Sequence, residues 1–154
     1  MKSIYSLLPF LGNIMAVNFH NQTNYNLSSK TKLKAFLEKL FTTEGKQLDT
    51  LDIIFCDDEY LLQINRDHLA HDYYTDIITF DLSPSKKAAT IAELYISIDR
   101  VKDNAKINKV TISNELHRVI FHGCLHLSGF KDKKPADIIT MRKMEDKYLG
   151  LYFK

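Results

Sequence analysis

SNELHRVIFHGCLHLSGFKDKK, Ser113 to Lys134, is the stretch that organises this chain. At its centre His122 and His126 stand four residues apart. Four residues of α-helix turn about 400° and rise roughly 6 Å, so both imidazoles leave one face, where a single metal ion can touch them. Gly129 stands where that helix has to end, because glycine takes the left-handed conformation of a C-terminal cap at little steric cost. The chain can then double back and offer Asp132 as a third ligand. Two imidazoles and a carboxylate with a position left open are the donor set of a catalytic zinc. The expected site is therefore one zinc ion, or another divalent transition metal, on His122, His126 and Asp132. A buried helix with hydrogen-bonded core histidines would carry the same pair.

Two alternatives are disfavoured by the same residues. The HExxH metallopeptidases place a general-base Glu directly after the first histidine, and here Gly123 occupies that position. A zincin-like metallopeptidase keeps its ligand spacing but lacks its base. A closed structural site needs a fourth Cys or His nearby. Cys124 is two residues from either histidine and so turned about 200° away on the helix.

Around this stretch the chain has 154 residues, which predicts a single domain, 1–154, with a real core. The apolar run Ile4 to Val17 is broken by Ser6, Pro9, Gly12 and Asn13 and is too short to span a bilayer. Cys56 and Cys124 fall in core-like segments, which predicts reduced thiols and a cytoplasmic location. A net charge of +2 permits nucleic-acid binding without arguing for it.

Strands are expected at Met15–Phe19, Leu51–Cys56, Thr75–Leu82 and Ile91–Ile98. An amphipathic helix over Ser29–Thr42, capped by Ser28, carries Leu33, Phe36, Leu37 and Leu40 on one stripe. Asp57 or Asp58 opens a helix to Leu69 with Tyr60, Leu61 and Ile64 inward, and Asp99 opens a short one to Ala105 or Lys106. Ser113 caps the histidine helix. Pro135 starts a last helix that packs through Ile138, Met141, Met144, Tyr148 and Leu149. Together these predict an α+β fold, a small mixed sheet with helices packed on it and the metal at the end of a central helix.

The run HGCLHLSGF, His122 to Phe130, resembles the YbeY family, bacterial rRNA maturation factors classed as metal-dependent endoribonucleases, whose pattern is H-G-x-L-H-L-x-G-[YF]-D-H. Lys131 and Asp132 stand where that pattern has Asp and its third His. The resemblance extends to Ile64–Phe80, INRDHLAHDYYTDIITF, and to MRKMEDKYL at Met141–Leu149. It departs at Leu69, where the family has an Arg implicated in activity, and at Ala92-Glu93-Leu94, where it has Gly-Asp-Ile.

The resemblance implies a zinc-dependent endoribonuclease acting on single-stranded rRNA, in small-subunit 3′-end maturation and ribosome quality control. It implies rRNA and the small ribosomal subunit as partners, no membrane and a monomer. A ribosome-associated binding factor with a mainly structural metal is the other reading. Arg66, one helical turn before Leu69, is a candidate RNA contact in place of the missing Arg, with an ordinary surface Arg the alternative. Lys131, with Lys133 and Lys134, is a candidate cationic rim for a phosphate backbone. His68, His71 and Asp72 read as surface residues or as a second metal cluster. Asp76 suits a strand start, accepting backbone or histidine N–H groups. Met141 suits either the core or the underside of the metal.

Overall fold

The computed structural model describes residues 15–154. Their elements run β1 (Ala16–Asn21), α1 (Lys30–Thr43), β2 (Leu48–Cys56), α2 (Asp58–Leu69), β3 (Ile77–Asp81), β4 (Thr90–Ser97), α3 (Ile98–Asn108), α4 (Ile112–Leu127) and α5 (Pro135–Tyr152). Most of the interrupted apolar segment beginning at Ile4 lies outside the described residues.

Ile53, Ile54, Phe55 and Cys56 are consecutive and all buried. An unbroken apolar run of this kind suits a strand covered on both faces. β2 takes that place in a sheet ordered β1-β2-β4-β3. It pairs parallel with β1, Val17 opposite Leu51, and parallel with β4, Ile53 opposite Leu94. β3 runs antiparallel to β4 with Ile78 opposite Tyr95, leaving its other side as a sheet edge. The fold is α+β, a small mixed sheet with helices packed against it.

Several boundaries differ from the sequence expectation, each for a local reason. Ser29, not Ser28, precedes α1, in the left-handed region at φ 54° and without a side-chain cap bond. Asp57 caps α2 by accepting the Tyr60 N–H. Tyr60 itself is exposed, and Leu61 and Leu62 carry the buried face. α3 starts at Ile98 because Ser97, the last residue of β4, accepts the Arg100 N–H and leaves no linker. α4 starts at Ile112, two residues earlier than a Ser113 cap would give, since the Thr111 hydroxyl accepts the Asn114 N–H. In α5 the buried stripe is Met141, Glu145, Tyr148, Leu149 and Tyr152, whereas Ile138 is exposed.

α4 is the most enclosed helix, packed between α3 and α5 and against β3 and β4. One polar residue inside it carries a measurable consequence. His117 donates from Nδ1 to the Ser113 carbonyl at 2.6 Å, and its ring stacks on Tyr152 at 4.5 Å. Its Nε2 is buried without a partner. Burial lowers the His117 pKa, so the folded chain holds the ring neutral where the unfolded chain would protonate it. Stability from this residue is complete above the unfolded value near 6.5 and falls as pH drops below it. His117→Phe should therefore flatten the loss of urea stability between neutral and mildly acid pH, in a comparison of the two proteins' midpoints. Equal acid slopes would show that His117 does not contribute.

Candidate metal centre

His122 and His126 project from α4, and the turn that ends the helix brings Asp132 back to them. Gly129 sits at φ 103°, where an L side chain is strained, although no atom lies near enough to clash with a Cβ. Conformation, not space, requires glycine here. The Gly129 N–H reaches the His126 carbonyl and the Phe130 N–H the Leu125 carbonyl, both at 3.0 Å. That pair of bonds is a Schellman ending, with Phe130 folded against the core.

The result places His126 Nε2 at 3.0 Å from His122 Nε2 and 3.2 Å from Asp132 Oδ2, with His122 Nε2 at 3.4 Å from the same oxygen. Each Nδ1 is already committed. His122 Nδ1 donates to Glu145 Oε1 at 2.6 Å and His126 Nδ1 donates to the Phe130 carbonyl at 3.0 Å. Neither acceptor can give a proton back, Glu145 being held ionised, so any neutral ring here carries its lone pair on Nε2, the atom that faces the other histidine. Two such nitrogens beside a carboxylate form a donor set that can hold a cation. The three separations match the edges of about 3.3 Å expected between ligands on a tetrahedral ion with bonds of about 2.0–2.1 Å. Nitrogen and oxygen donors of this kind suit a divalent first-row metal. Among the described residues this is the one His/Cys/Asp/Glu grouping that could hold an ion.

Glu145 is the functional residue the sequence reading missed. It is 4% exposed and accepts from Arg118 Nη1 at 3.1 Å and Arg142 Nη1 at 3.2 Å as well as from His122. Burial alone would raise its carboxyl pKa, but the His122 bond and charge and the two guanidinium groups outweigh burial and hold it below the usual range. For His122, burial disfavours the charged ring, yet Glu145 and then Asp132 and Asp76 together raise its pKa. Asp76 accepts its own N–H and that of Ile77, with Asn104 Nδ2 at 3.4 Å. Burial raises its carboxyl pKa, and the His122 charge only partly offsets this. Met141 is buried and also lines a small cavity of about 140 Å³ beside His122 and Asp132.

Gly123 faces the sheet. A Cβ there would stand 2.8 Å from Ile77 Cδ1 and 2.9 Å from Leu94 Cδ2, so the position has no room for the general-base Glu of a peptidase. The fully buried Cys124 thiol, its pKa raised by burial, points away from the ligands into the core. Cys56 is likewise a buried free thiol, pushed up to about 12 chiefly by burial.

A cleft of about 750 Å³ runs from the ligands along the free edge of β3 to the loop after α2. Of the three neighbouring lysines, Lys133 lines it; Lys131 is exposed and does not. Leu69 lines it too, where the family resemblance places an Arg. Arg66 does not line the cleft, and its Nε is bonded to Asp72. His68 packs edge-on to Phe80 and His71 stacks on Tyr73, so His68, His71 and Asp72 are not gathered into a second metal cluster.

The sequence model of the family described as endoribonuclease YbeY matches residues 17–152. The chain belongs to this family. A Cytophaga hutchinsonii endoribonuclease YbeY is 48% identical over 86% of this chain and 92% of its own length. The Flavobacterium johnsoniae endoribonuclease YbeY is 38% identical over 88% and 96%, respectively. The solution structure of a Thermotoga maritima protein shares the fold, with a TM-score of 0.62 at 23% identity over 90% of this chain and 89% of that one. Membership of the YbeY family places the chain among the nuclease-class hydrolases.

Two outcomes follow from this geometry. Glu145→Gln keeps an acceptor for the His122 N–H but loses the charge. It should weaken metal binding on the order of tenfold in competition with a chromophoric chelator, and unchanged affinity would remove Glu145 from the site. Gly123→Glu should lower the urea midpoint by the equivalent of about 3 kcal/mol or more through overpacking and a buried charge. It should also yield no peptidase, in a melt paired with a casein assay.

Proposed function

We propose that this chain is a zinc-dependent endoribonuclease that cuts single-stranded rRNA. Its place would be maturation of the small-subunit 3′ end and ribosome quality control, in the cytoplasm, as a monomeric single domain working with the small ribosomal subunit. The observation that carries the reading is the convergence of His122 Nε2, His126 Nε2 and the Asp132 carboxylate at one end of an open cleft, in a chain whose relatives are named endoribonucleases.

The fit to a metal is chemical. His122 and His126 would bind a divalent ion through Nε2 and Asp132 through Oδ2, and such an ion would supply Lewis acidity toward a phosphoryl oxygen or water. The rest of the work falls to the chain. Glu145 keeps the His122 proton on Nδ1 and orients the ring, and the Phe130 carbonyl does the same for His126. Arg118 and Arg142 keep Glu145 ionised inside the protein. Lys133 offers a cation to the backbone of a strand lying in the cleft. Unpaired RNA suits such an open groove, because its bases can splay and its backbone stays accessible. A peptidase reading loses support from the packing that fills the space beside Gly123.

Protein purified without an affinity tag should carry about one equivalent of zinc by elemental analysis. It should cleave single-stranded RNA, lose that activity to a chelator and leave casein intact. His126→Ala should reduce cleavage by on the order of a hundredfold while the metal-free chain still melts cooperatively. Casein hydrolysis without RNA cleavage would overturn the reading, and a variant that no longer folds would make the metal structural.

A further inference from the structure

The wall of the cleft formed by the loop after α2 is aromatic. Tyr73 and His71 both line it, their ring centroids 5.1 Å apart and their planes inclined by 22°. Tyr73 is 57% exposed, the most exposed aromatic ring among the described large hydrophobic side chains. An exposed tyrosine on a mobile surface would mean little, but this one is held. Asn65, 1% exposed, donates from Nδ2 to the Tyr73 carbonyl at 2.9 Å, and its own carbonyl accepts the His71 N–H. Ala70 takes the left-handed conformation between them, so the loop leaves α2 in one fixed direction. The Tyr73 hydroxyl and His71 Nδ1 share a hydrogen bond at 3.1 Å that keeps the two rings together.

The neighbouring surface is apolar where it would be cationic for a phosphate. Leu69 stands on the same wall and offers no hydrogen bond, whereas Lys133 supplies positive charge near the ligands. A cation for the backbone at one place and a ring with an open face at another is the arrangement that takes an unpaired nucleotide, since every base has a π-face to stack.

We infer that the Tyr73–His71 pair is a nucleobase-stacking subsite, which receives one unpaired base of the strand whose phosphate lies at His122, His126 and Asp132. The inference rests on RNA being the substrate. It makes Tyr73 a residue that selects for single-stranded over duplex RNA, with little preference among bases because stacking reads no hydrogen-bond pattern.

Steady-state cleavage of a short single-stranded RNA by the zinc-loaded chain tests this, with one abasic ribose moved through the positions around the cut. In the unaltered chain one abasic position should raise KM about tenfold or more with little change in kcat. Tyr73→Ala should raise KM for the intact RNA to the same extent, and the sensitive abasic position should then cost nothing further. Tyr73→Phe, which keeps the ring, should stay close to the unaltered chain. A flat abasic scan in the unaltered chain overturns the subsite even if Tyr73→Ala does not fold. Cleavage that is unaffected by Tyr73→Ala overturns it as well, with the RNA reading intact. No cleavage of any RNA overturns both.

Discussion

The two Nδ1 protons of His122 and His126 are the constraint on which the site depends. Each is given to an acceptor, a buried carboxylate in one case and a backbone carbonyl in the other. Only this commitment frees both Nε2 atoms to meet at a cation. It also sets the demands on the rest of the protein. A carboxylate that is 4% exposed must be kept charged, which explains the convergence of Arg118 and Arg142 on Glu145. Breaking that pairing would leave a charge without compensation in the interior, so the candidate metal site and the α4–α5 interface are one structure.

The close approach of α4 to the sheet is the second condition. With no side chain at Gly123, Ile77 and Leu94 come against the helix backbone and bring β3 alongside the ligands. The glycine that stands where a peptidase carries its base thus lets β3 lie against the helix beside the ligands. The edge of β3 and the loop after α2 become walls of a groove instead of a sealed core.

Much of this was legible in the sequence because the signals are short-range. The His122–His126 spacing, the glycine ending and Asp132 lie within one helix and its turn, where local geometry is decisive. The apolar run in β2 and the stripe of α1 announced buried elements for the same reason. Glu145 escaped because it stands on a distant helix: the MRKMEDKYL resemblance has a Glu at its position, but only the fold brings that carboxylate to His122. Arg66 was placed by spacing on the helix, and spacing is blind to Asp72, which the loop after α2 brings to its guanidinium. Helix starts shifted by a residue or two where Thr111 or Ser97 offered a hydroxyl before the expected cap. Ile138 read as a packing residue by period, but the start of α5 extends past the core and leaves it in solvent.

The segment His122 to Asp132 holds all three ligand atoms and also the Phe130 carbonyl that aims one of them. Closing so short a ring of chain around an ion costs little conformational entropy. Loading should therefore tighten the end of α4 and the turn beyond it while leaving the sheet much as it was. An ion held by this segment alone would fasten one turn of chain to the end of one helix, and no second element of the fold would be tied to it.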